Sequence, residues 1–448
     1  MKASDSSRFR PTATHSSRSA SVATLGCRLN QAESLMIQDR LRKAGYRVVA
    51  PDERSDLCII HTCTVTDRAD AKCRAIIRGQ IRKNPQSIIV VAGCYSQMGY
   101  KQIARIPGVD VIIGNQHKLD VLDYVDHQKN ERPLIVRDKI DKQDFSIRFV
   151  GDLPYNKRAN LKIQDGCDFF CSFCIIPHAR GRARSREFDN LLAEANALAR
   201  RGVRELVLTG VNIGTYRHEP HGLLDVVDAL DGIEGVERVR ISSIEPTTIP
   251  EELFDRMNAK DHALQPFFHI PLQSGNNRIL SEMKRKYTVE QYFDFLQCVK
   301  EQVSNVYLGT DLMVGFPGES EAEFTETCER FMASPLHFAH VFTYSERKGT
   351  PAKRIESSVP RTERNRRSLH LRRLSASKRH DYYASWVGRE VEVLFEDPKP
   401  ELWSGLTPNY IRVCVPRRPD HPDLTNQLAR VRLTSVEADF VEGELVEV

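Results

Sequence analysis

Residues 161–186 read LKIQDGCDFFCSFCIIPHARGRARSR, and the rest of the chain is organised around this stretch. Cys167, Cys171 and Cys174 stand in a C-x3-C-x2-C pattern directly after a strand-like run. A [4Fe–4S] cluster normally takes four cysteine ligands, but the next cysteine after these three is Cys298. The three residues, called the central cysteines below, therefore predict a cluster in which one iron stays open to a small molecule.

A structural zinc site is the alternative interpretation of the central cysteines, with His178 as a fourth ligand. Zinc sites more often use paired C-x2-C units than this spacing. Phe169, Phe170 and Phe173 lie between the cysteines and predict a dry shell around them. Such a shell favours the cluster, because burial is one of the factors that set a cluster's reduction potential.

The chain has 448 residues, which is too long for one hydrophobic core and predicts about three domains. Its net charge of +5 and hydrophobic content of 40% are ordinary for a globular protein, and no apolar run is long enough to span a membrane. Residues 1–21 are rich in Ser and Arg, lack the apolar core of a signal peptide and predict a disordered tail. Eleven cysteines in such a chain indicate a cytoplasmic protein with reduced thiols that bind metal or catalyse.

Residues 22–145 alternate strand-like and helix-like segments, which predicts a parallel sheet with helices on both faces. Three of the strand-like runs end in a cysteine, namely Cys27, Cys63 and Cys94. Ligands of open parallel sheets gather beyond the carboxyl ends of the strands. These three residues, called the N-terminal cysteines below, therefore predict a second cluster with one open iron. The alternative is that they are ordinary buried thiols.

Residues 152–380 carry six strand-like runs separated by helix-like runs, after a polar stretch, 128–152, that predicts a linker. Six βα units predict a partial parallel barrel, open on one side, with its chemistry at the carboxyl ends of the strands. Polar side chains at the later strand ends are candidates to hold a cofactor, although each alone could be a turn cap or a core residue. These candidates are Asn212, Ser242, Glu245, His269, Gln273, Asp311 and Arg347.

Residues 383–448 consist of short β runs and predict a five-stranded small barrel. Barrels of this size commonly bind nucleic acid, and a neutral structural cap is the alternative. Two arginine-rich stretches, residues 178–186 and 361–379, are interpreted either as solvated faces or as phosphate-binding surfaces near a cavity mouth.

The chain resembles the radical S-adenosylmethionine methylthiotransferase family over residues 22–448, with all three domains in the family's order. The resemblance rests on residues 161–186 and on the segments TLGCRLNQAES, HTCTVTDRADAKCR, GCYSQ, SSIEP, HIPLQSGNNRIL, TDLMVGFPGE and YSERKGTPA. Within the family, TLGC, HTCTVTDRAD and PFFHIPLQSGNN are most similar to the branch that acts on N6-threonylcarbamoyladenosine at position 37 of tRNA. The last domain resembles the TRAM RNA-binding module at Gly388, Val391, Gly405, Thr407, Asn409 and Tyr410.

The resemblance implies an α/β protein with an N-terminal parallel-sheet domain, a central partial (β/α)6 radical-SAM barrel and a small C-terminal TRAM-like β-barrel. It implies that the central cysteines hold a [4Fe–4S] cluster whose open iron binds S-adenosylmethionine and generates a 5′-deoxyadenosyl radical. The N-terminal cysteines would hold a second [4Fe–4S] cluster that carries sulfur.

The expected partners are the anticodon loop of tRNA, an electron donor such as flavodoxin or ferredoxin, and a sulfur donor, without a membrane. Three alternatives remain at this point. The substrate is isopentenyladenosine-37 of tRNA, or it is an aspartate of a ribosomal protein, or the chain is a non-catalytic iron–sulfur protein that binds RNA.

Overall fold

The computed structural model describes residues 18–126, 128–129, 131–148, 158–396, 398–419 and 421–447. Of the predicted disordered tail, residues 1–17 lie outside the described residues. The first strand begins at Ser19, so the N-terminal domain starts before the expected boundary at residue 22. None of the described helices combines the length and the apolar character that a membrane span needs.

The N-terminal domain is a parallel sheet of six strands, as the alternating pattern predicts, in the order β2-β1-β3-β4-β5-β6. Its strands are β1 (Ser19–Thr24), β2 (Arg47–Val49), β3 (Leu57–Thr62), β4 (Ile88–Gly93), β5 (Val111–Ile113) and β6 (Leu134–Val136). Its helices are α1 (Arg28–Lys43), α2 (Asp67–Lys83) and α3 (Cys94–Ile103). The linker interpretation of 128–152 is wrong for β6, which pairs with β5 and forms one edge of the sheet.

Successive strand residues of this sheet enter two separate apolar cores, one on each face. Ile60 and Val91 belong to one core, whereas Ile59 and Val90 belong to the other. A sheet that is buried on both faces explains why the strands read as continuous apolar runs in the sequence.

In the part of the central domain that the structure describes there are ten strands, and six of them form the predicted partial barrel in the order β7-β10-β13-β14-β15-β16. The strands are β7 (Arg158–Lys162), β8 (Gln164–Asp165), β9 (Arg184–Ser185), β10 (Glu205–Thr209), β11 (Arg217–His218), β12 (His221–Gly222), β13 (Arg238–Ile241), β14 (Phe267–His269), β15 (Tyr307–Val314) and β16 (Phe338–Thr343). The barrel strands pair in parallel. Backbone bonds from Val239 to Ala263 and from Gln265 to Val239 join its two halves, at 2.7 and 2.9 Å.

Helices cover the outside of this barrel, and local capping signals fix where several of them begin. In α9 and α10 the capping boxes start at Thr288 and Ser320. The helices are α4 (Ile176–Arg180), α5 (Phe188–Arg200), α6 (Leu223–Asp231), α7 (Leu253–Asn258), α8 (Asn277–Glu282), α9 (Val289–Gln302), α10 (Glu321–Ala333) and α11 (Arg361–Ala384). Four 3-10 helices span Lys118–Tyr124, Ile213–Thr215, Pro246–Thr248 and Pro351–Arg354.

The C-terminal domain is a closed five-stranded barrel in the order β17-β18-β19-β21-β20, which confirms the predicted architecture. Its strands are β17 (Glu390–Phe395), β18 (Leu402–Leu406), β19 (Arg412–Pro416), β20 (Leu428–Val436) and β21 (Val441–Glu447). Arg158 pairs with Glu396 at 2.8 Å, and Arg238 donates to the carbonyl of Leu406 at 2.7 Å. The small barrel is thus docked on the amino ends of the first central strands.

Glu205, at the start of β10, lies at the centre of this docking surface. The fully buried carboxylate is 2.8 Å from Arg158 Nε and 3.1 Å from Arg240 Nε. Burial by itself would raise the pKa of Glu205, but Arg240 and Arg158 hold that pKa down at about 2. A carboxylate whose pKa is lowered by folding stabilises the fold above its ordinary pKa, and this stabilisation is lost as the pH falls toward the folded value.

We expect Glu205→Gln to lower the free energy of unfolding by about 3 kcal/mol at neutral pH, because the buried Arg240 and the half-buried Arg158 lose their carboxylate. Denaturant unfolding followed by circular dichroism measures this, with the exposed Glu234→Gln as the matched control. The difference in the free energy of unfolding between the parent and Glu205→Gln should become smaller as the pH falls from 4.5, the ordinary pKa of a glutamate, toward 2. Equal stability of the two proteins at neutral pH would contradict this role.

Candidate functional site

The N-terminal cysteines lie at the carboxyl ends of three neighbouring strands, as the strand-end rule predicts. Cys27 is the residue before α1, Cys63 follows β3, and Cys94 is the first residue of α3 after β4. Cys63 and Cys94 are buried, whereas Cys27 is exposed. Gly26 has a φ of +113°, and a Cβ atom there would lie 2.8 Å from the Cβ of Cys63. The chain can therefore pass this close to Cys63 only with glycine at that position.

The central cysteines lie on the loop between β8 and α4, beyond the end of the first barrel strand. Backbone hydrogen bonds fold the loop, since Cys174 N donates to Cys171 O at 3.0 Å and Cys167 N donates to Gly181 O at 3.2 Å. The prediction of a dry aromatic shell is wrong for Phe170, which is 39% exposed.

The remaining neighbours of the loop do not support the zinc interpretation. His178, the proposed fourth zinc ligand, is exposed on α4. Within the described ranges, no three His, Cys, Asp or Glu side chains converge closely enough to hold a single metal ion. The sulfur ligands of a cubane bind different irons and lie farther apart, so the spacing of the central cysteines suits a cluster better than a single zinc ion.

Burial has a strong effect on the pKa of the Cys63, Cys174 and Cys167 thiols. It raises the pKa of Cys63 and of Cys174 to about 12, and the pKa of Cys167 to about 11. Thiolates this disfavoured by burial form when a bound metal supplies positive charge. The donor set therefore fits an iron–sulfur cluster at each group of three cysteines.

One cavity of about 830 Å³ connects the two groups of cysteines. Cys27 and Cys63 line it from the N-terminal domain, and Cys174 lines it from the central loop. Two of the predicted cofactor residues, Gln273 and Asp311, line the same cavity. The volume lies in the range of small-molecule sites, so a nucleoside-sized ligand can lie between the two sets of sulfur atoms.

Asn212 fits a cofactor contact because half of its amide has no protein partner. Its Oδ1 accepts from Thr248 Oγ1 at 3.1 Å and from Glu245 N at 3.4 Å. Its Nδ2 is buried and has no hydrogen-bond acceptor among the described residues. An unpaired buried donor costs about 1–3 kcal/mol, which a bound ligand would offset.

Arg285, a residue that sequence reasoning missed, ties the predicted Glu245 to the central loop. Its Nη1 atom is 3.1 Å from Glu245 Oε1 and 3.4 Å from Cys171 Sγ. Burial would lower the pKa of Arg285, but Glu245 holds it well above the ordinary value. Arg285 belongs to a KRK run after α8, and such a run is normally a solvated surface, so no sequence signal marks it.

His269 and Asp311 form one pair across neighbouring barrel strands, with 2.9 Å between Nε2 and Oδ1. Burial would raise the pKa of Asp311, yet the charge and hydrogen bond of His269 hold it below its ordinary value. His269 therefore orients a carboxylate that lines the cavity. Ser242 follows β13, is half-buried and stays a predicted contact.

Arg347 contacts the N-terminal domain, while its buried Nε has no hydrogen-bond partner among the described residues, so its cofactor role stays a prediction. Its guanidinium is 2.6 Å from Asp67 Oδ1 and 2.8 Å from Asp70 Oδ2, and it also donates to Thr64 Oγ1 at 2.5 Å. These partners belong to the N-terminal domain, which covers this part of the barrel rim. Arg347 thus fastens two domains together and does not line the cavity.

The arginine-rich stretch 178–186 is largely structural. Arg180 and Arg186 are fully buried, and Arg186 pairs with Glu194. Arg182 is more than half exposed and pairs with Asp168. For Arg180 and Arg186, both predicted interpretations, a solvated face and a phosphate surface, are therefore wrong.

Comparison with known proteins gives a consistent result. The model of the Radical SAM superfamily matches residues 161–331, and the model described as Uncharacterized protein family UPF0004 matches residues 19–114. The radical S-adenosylmethionine methyltransferase TsrM from Kitasatospora setae superposes with a TM-score of 0.55 at 14% identity, over 75% of this chain and 77% of that chain. That likeness shows the fold alone. The match to the Radical SAM model, which includes the central cysteines, defines a radical S-adenosylmethionine protein, a class with a [4Fe–4S] cluster and S-adenosylmethionine as cofactors.

Two curated relatives narrow this class. The threonylcarbamoyladenosine tRNA methylthiotransferase MtaB of Bacillus subtilis (strain 168) is 36% identical over 95% of this chain and 96% of its own length. The tRNA-2-methylthio-N(6)-dimethylallyladenosine synthase of Moorella thermoacetica (strain ATCC 39073 / JCM 9320) is 34% identical over 95% of this chain and 98% of its own length. The chain belongs to the radical S-adenosylmethionine methylthiotransferase family.

Iron content tests whether both groups of cysteines bind clusters. We expect about eight irons per chain after anaerobic reconstitution, because each group suits one [4Fe–4S] cluster. Cys171→Ala and Cys63→Ala should each retain about four irons, since each removes one ligand group. Cys298→Ala, which changes a half-buried cysteine on α9, is the control and should bind as much iron as the parent. Four irons in the parent, or zinc instead of iron, would contradict the two-cluster interpretation.

Proposed function

We propose that this chain adds a methylthio group to C2 of N6-threonylcarbamoyladenosine at position 37 of tRNA. The observation that carries the proposal is the single cavity lined by Cys27, Cys63 and Cys174. A base in this cavity would lie between the two cluster sites, so one substrate carbon can meet both. Position 37 belongs to the anticodon loop, where a single-stranded base can leave its stack.

The central cysteines would hold the [4Fe–4S] cluster and S-adenosylmethionine. When bound, this pair supplies a carbon-centred radical, which can remove the aromatic C2 hydrogen that an ordinary general base does not. Asn212 would donate its free Nδ2 to the cofactor, and Arg285 would fix the position of Cys171. Ser242, His269, Gln273 and Asp311 would complete the cofactor and substrate contacts, with Glu245 acting through Arg285.

The N-terminal cysteines would hold a second [4Fe–4S] cluster. That cluster would carry the sulfur that a sulfur donor provides, and a second S-adenosylmethionine would supply the methyl group. An external one-electron donor such as flavodoxin or ferredoxin would reduce the central cluster.

A groove beside the reaction cavity supports tRNA as the partner. Its volume is about 460 Å³, and it lies between α11, β16 and the C-terminal barrel. Arg28, which follows Cys27 in the chain, lines this groove together with Arg372 and Tyr410. Neither arginine has a carboxylate partner among the described residues, so both are available for phosphate.

Nucleoside analysis tests the substrate. We express the chain in a bacterial strain that lacks its own methylthiotransferase for threonylcarbamoyladenosine and digest the tRNA for mass spectrometry. The parent should restore 2-methylthio-threonylcarbamoyladenosine, whereas Cys63→Ala should not. In vitro, Cys63→Ala should still form 5′-deoxyadenosine and Cys171→Ala should not. Methylthiolation of isopentenyladenosine alone, in a strain that offers both nucleosides, would reject the proposed substrate.

Lys72, on α2, favours the threonylcarbamoyl substituent over an apolar one. Its side chain is exposed, lines the reaction cavity, and has no carboxylate partner within the part of the chain that the structure describes. The threonylcarbamoyl group carries a carboxylate, which a lysine ammonium can bind. An isopentenyl group offers no acceptor for this cation.

We expect Lys72→Met to lower kcat/KM for threonylcarbamoyladenosine-containing tRNA about tenfold, because a charge-assisted hydrogen bond is worth about 1.5–3 kcal/mol. Turnover with an anticodon stem-loop substrate measures this effect. Lys83→Met, at the end of the same helix, serves as the control. The same loss with a stem-loop whose adenosine lacks the threonyl carboxylate would contradict the role of Lys72.

A further inference from the structure

Five charged side chains lie buried between the N-terminal domain and the central barrel, outside the cavity lining. Glu33 Oε1 is 2.7 Å from Lys118 Nζ, 2.7 Å from Lys162 Nζ and 3.0 Å from Arg180 Nη1. Asp165 is 2.7 Å from Lys162 and 3.0 Å from Arg180. Each of these side chains is at most 5% exposed. We call these five residues the buried ion network.

The network contains more positive than negative charge. Three cations face two carboxylates, and among the described residues no other acid lies within ion-pair distance of the three cations. His61, 3.5 Å from Glu33, adds no negative charge in either protonation state. Arg184, 3.7 Å from Asp165, adds a further cation. Because an uncompensated buried charge is costly, the surplus indicates a missing anion nearby.

Two asparagines connect this surplus to the N-terminal cysteines. Lys118 Nζ donates to Asn115 Oδ1 at 2.9 Å, and Asn115 Nδ2 donates to Cys94 Sγ at 3.4 Å. Asn30 Oδ1 accepts from Arg180 Nη2 at 2.6 Å and also from the Cys27 thiol, at 3.8 Å. Lys118 thus reaches Cys94 through one amide, whereas Arg180 shares an amide oxygen with Cys27.

We propose that the buried ion network is the counter-charge of the N-terminal cluster and raises its reduction potential, with Lys118, Arg180 and Asn115 as positioning residues. The inference rests on the proposed function, which assigns a cluster to the N-terminal cysteines. A [4Fe–4S] core in its 2+ state on three thiolates carries one negative charge, and one-electron reduction by an external donor adds another. A fixed buried cation and an N–H···S hydrogen bond both favour the more negative state.

The central cysteines have a different electrostatic environment. Arg285 lies 3.4 Å from Cys171 Sγ, but Glu245 neutralises it in an ion pair. The N-terminal site instead faces surplus charge that exists only when the domains are docked, because Arg180 and Lys162 belong to the central domain. The two clusters therefore differ in potential, and the N-terminal cluster has the higher one.

Redox titration of the full chain, followed by electron paramagnetic resonance, tests the inference. The Cys171→Ala background leaves the N-terminal cluster as the one observed. There, Arg180→Met and Lys118→Met each remove one positive charge from the network. Each should lower the reduced-to-oxidised ratio at a fixed potential about tenfold, which is about 59 mV for a one-electron couple. Asn115→Asp replaces the N–H donor beside Cys94 with a carboxylate and should also lower the ratio.

Two variants separate charge from shape. Arg180→Lys keeps the charge and should keep the parent potential. Arg54→Met removes an exposed cation that precedes β3. Because β3 is about 20 Å long, Arg54 lies far from Cys63, and its loss should leave the reduction potential unchanged.

The possible failures are distinct. If Arg180→Met and Lys118→Met both keep the reduction potential of the parent, each with full iron content, the counter-charge inference is overturned. A reduction potential in Arg180→Lys that is as low as that in Arg180→Met would also overturn the inference, because the shape of the side chain and not its charge would then set the potential. If the Cys171→Ala protein holds no cluster at all, the proposed function itself fails.

Discussion

The fixed docking of the N-terminal sheet on the rim of the central barrel is the constraint on which the site depends. Cys27 and Cys63 belong to one domain and Cys174 to the other, yet all three line one cavity. Arg347 fastens the two domains through a pair of aspartates, and Glu33 fastens them through Lys162 and Arg180. Without these contacts each domain would keep its cysteines, but the cavity between them would not exist.

The docking contacts are charged, whereas each domain is held together by its own apolar core. Two domains can slide against each other at an apolar interface, because the free energy of apolar burial depends on the buried area and not on direction. A buried ion pair contributes little net stability, but breaking it leaves an uncompensated charge and costs several kcal/mol. We infer that the charged contacts fix the orientation of the domains, so that sulfur atoms from both meet at one substrate carbon.

Local signals explain which parts of the fold the sequence predicts. Local sequence is enough to predict a helix that begins with a capping box, as at Thr288 and Ser320. It is also enough to predict a long apolar strand such as Leu57–Thr62. The edge strands Arg47–Val49 and Leu134–Val136 have three residues each, too few to show a period, so the sequence pattern does not mark them. The strand-end rule located the cysteines, because it needs only the chain direction of each strand.

Roles that depend on domain docking could not be predicted in this way. Arg347 occupies a strand end like a cofactor ligand, but the domain opposite supplies its partners. Arg180 belongs to a stretch that reads as a basic surface, yet the fold buries it. Because Arg180 and Arg186 are paired inside the protein, the stretch 178–186 overstates the cationic surface that is offered to RNA. We infer that tRNA binding uses cations of the groove without a carboxylate partner among the described residues, such as Arg28 and Arg372.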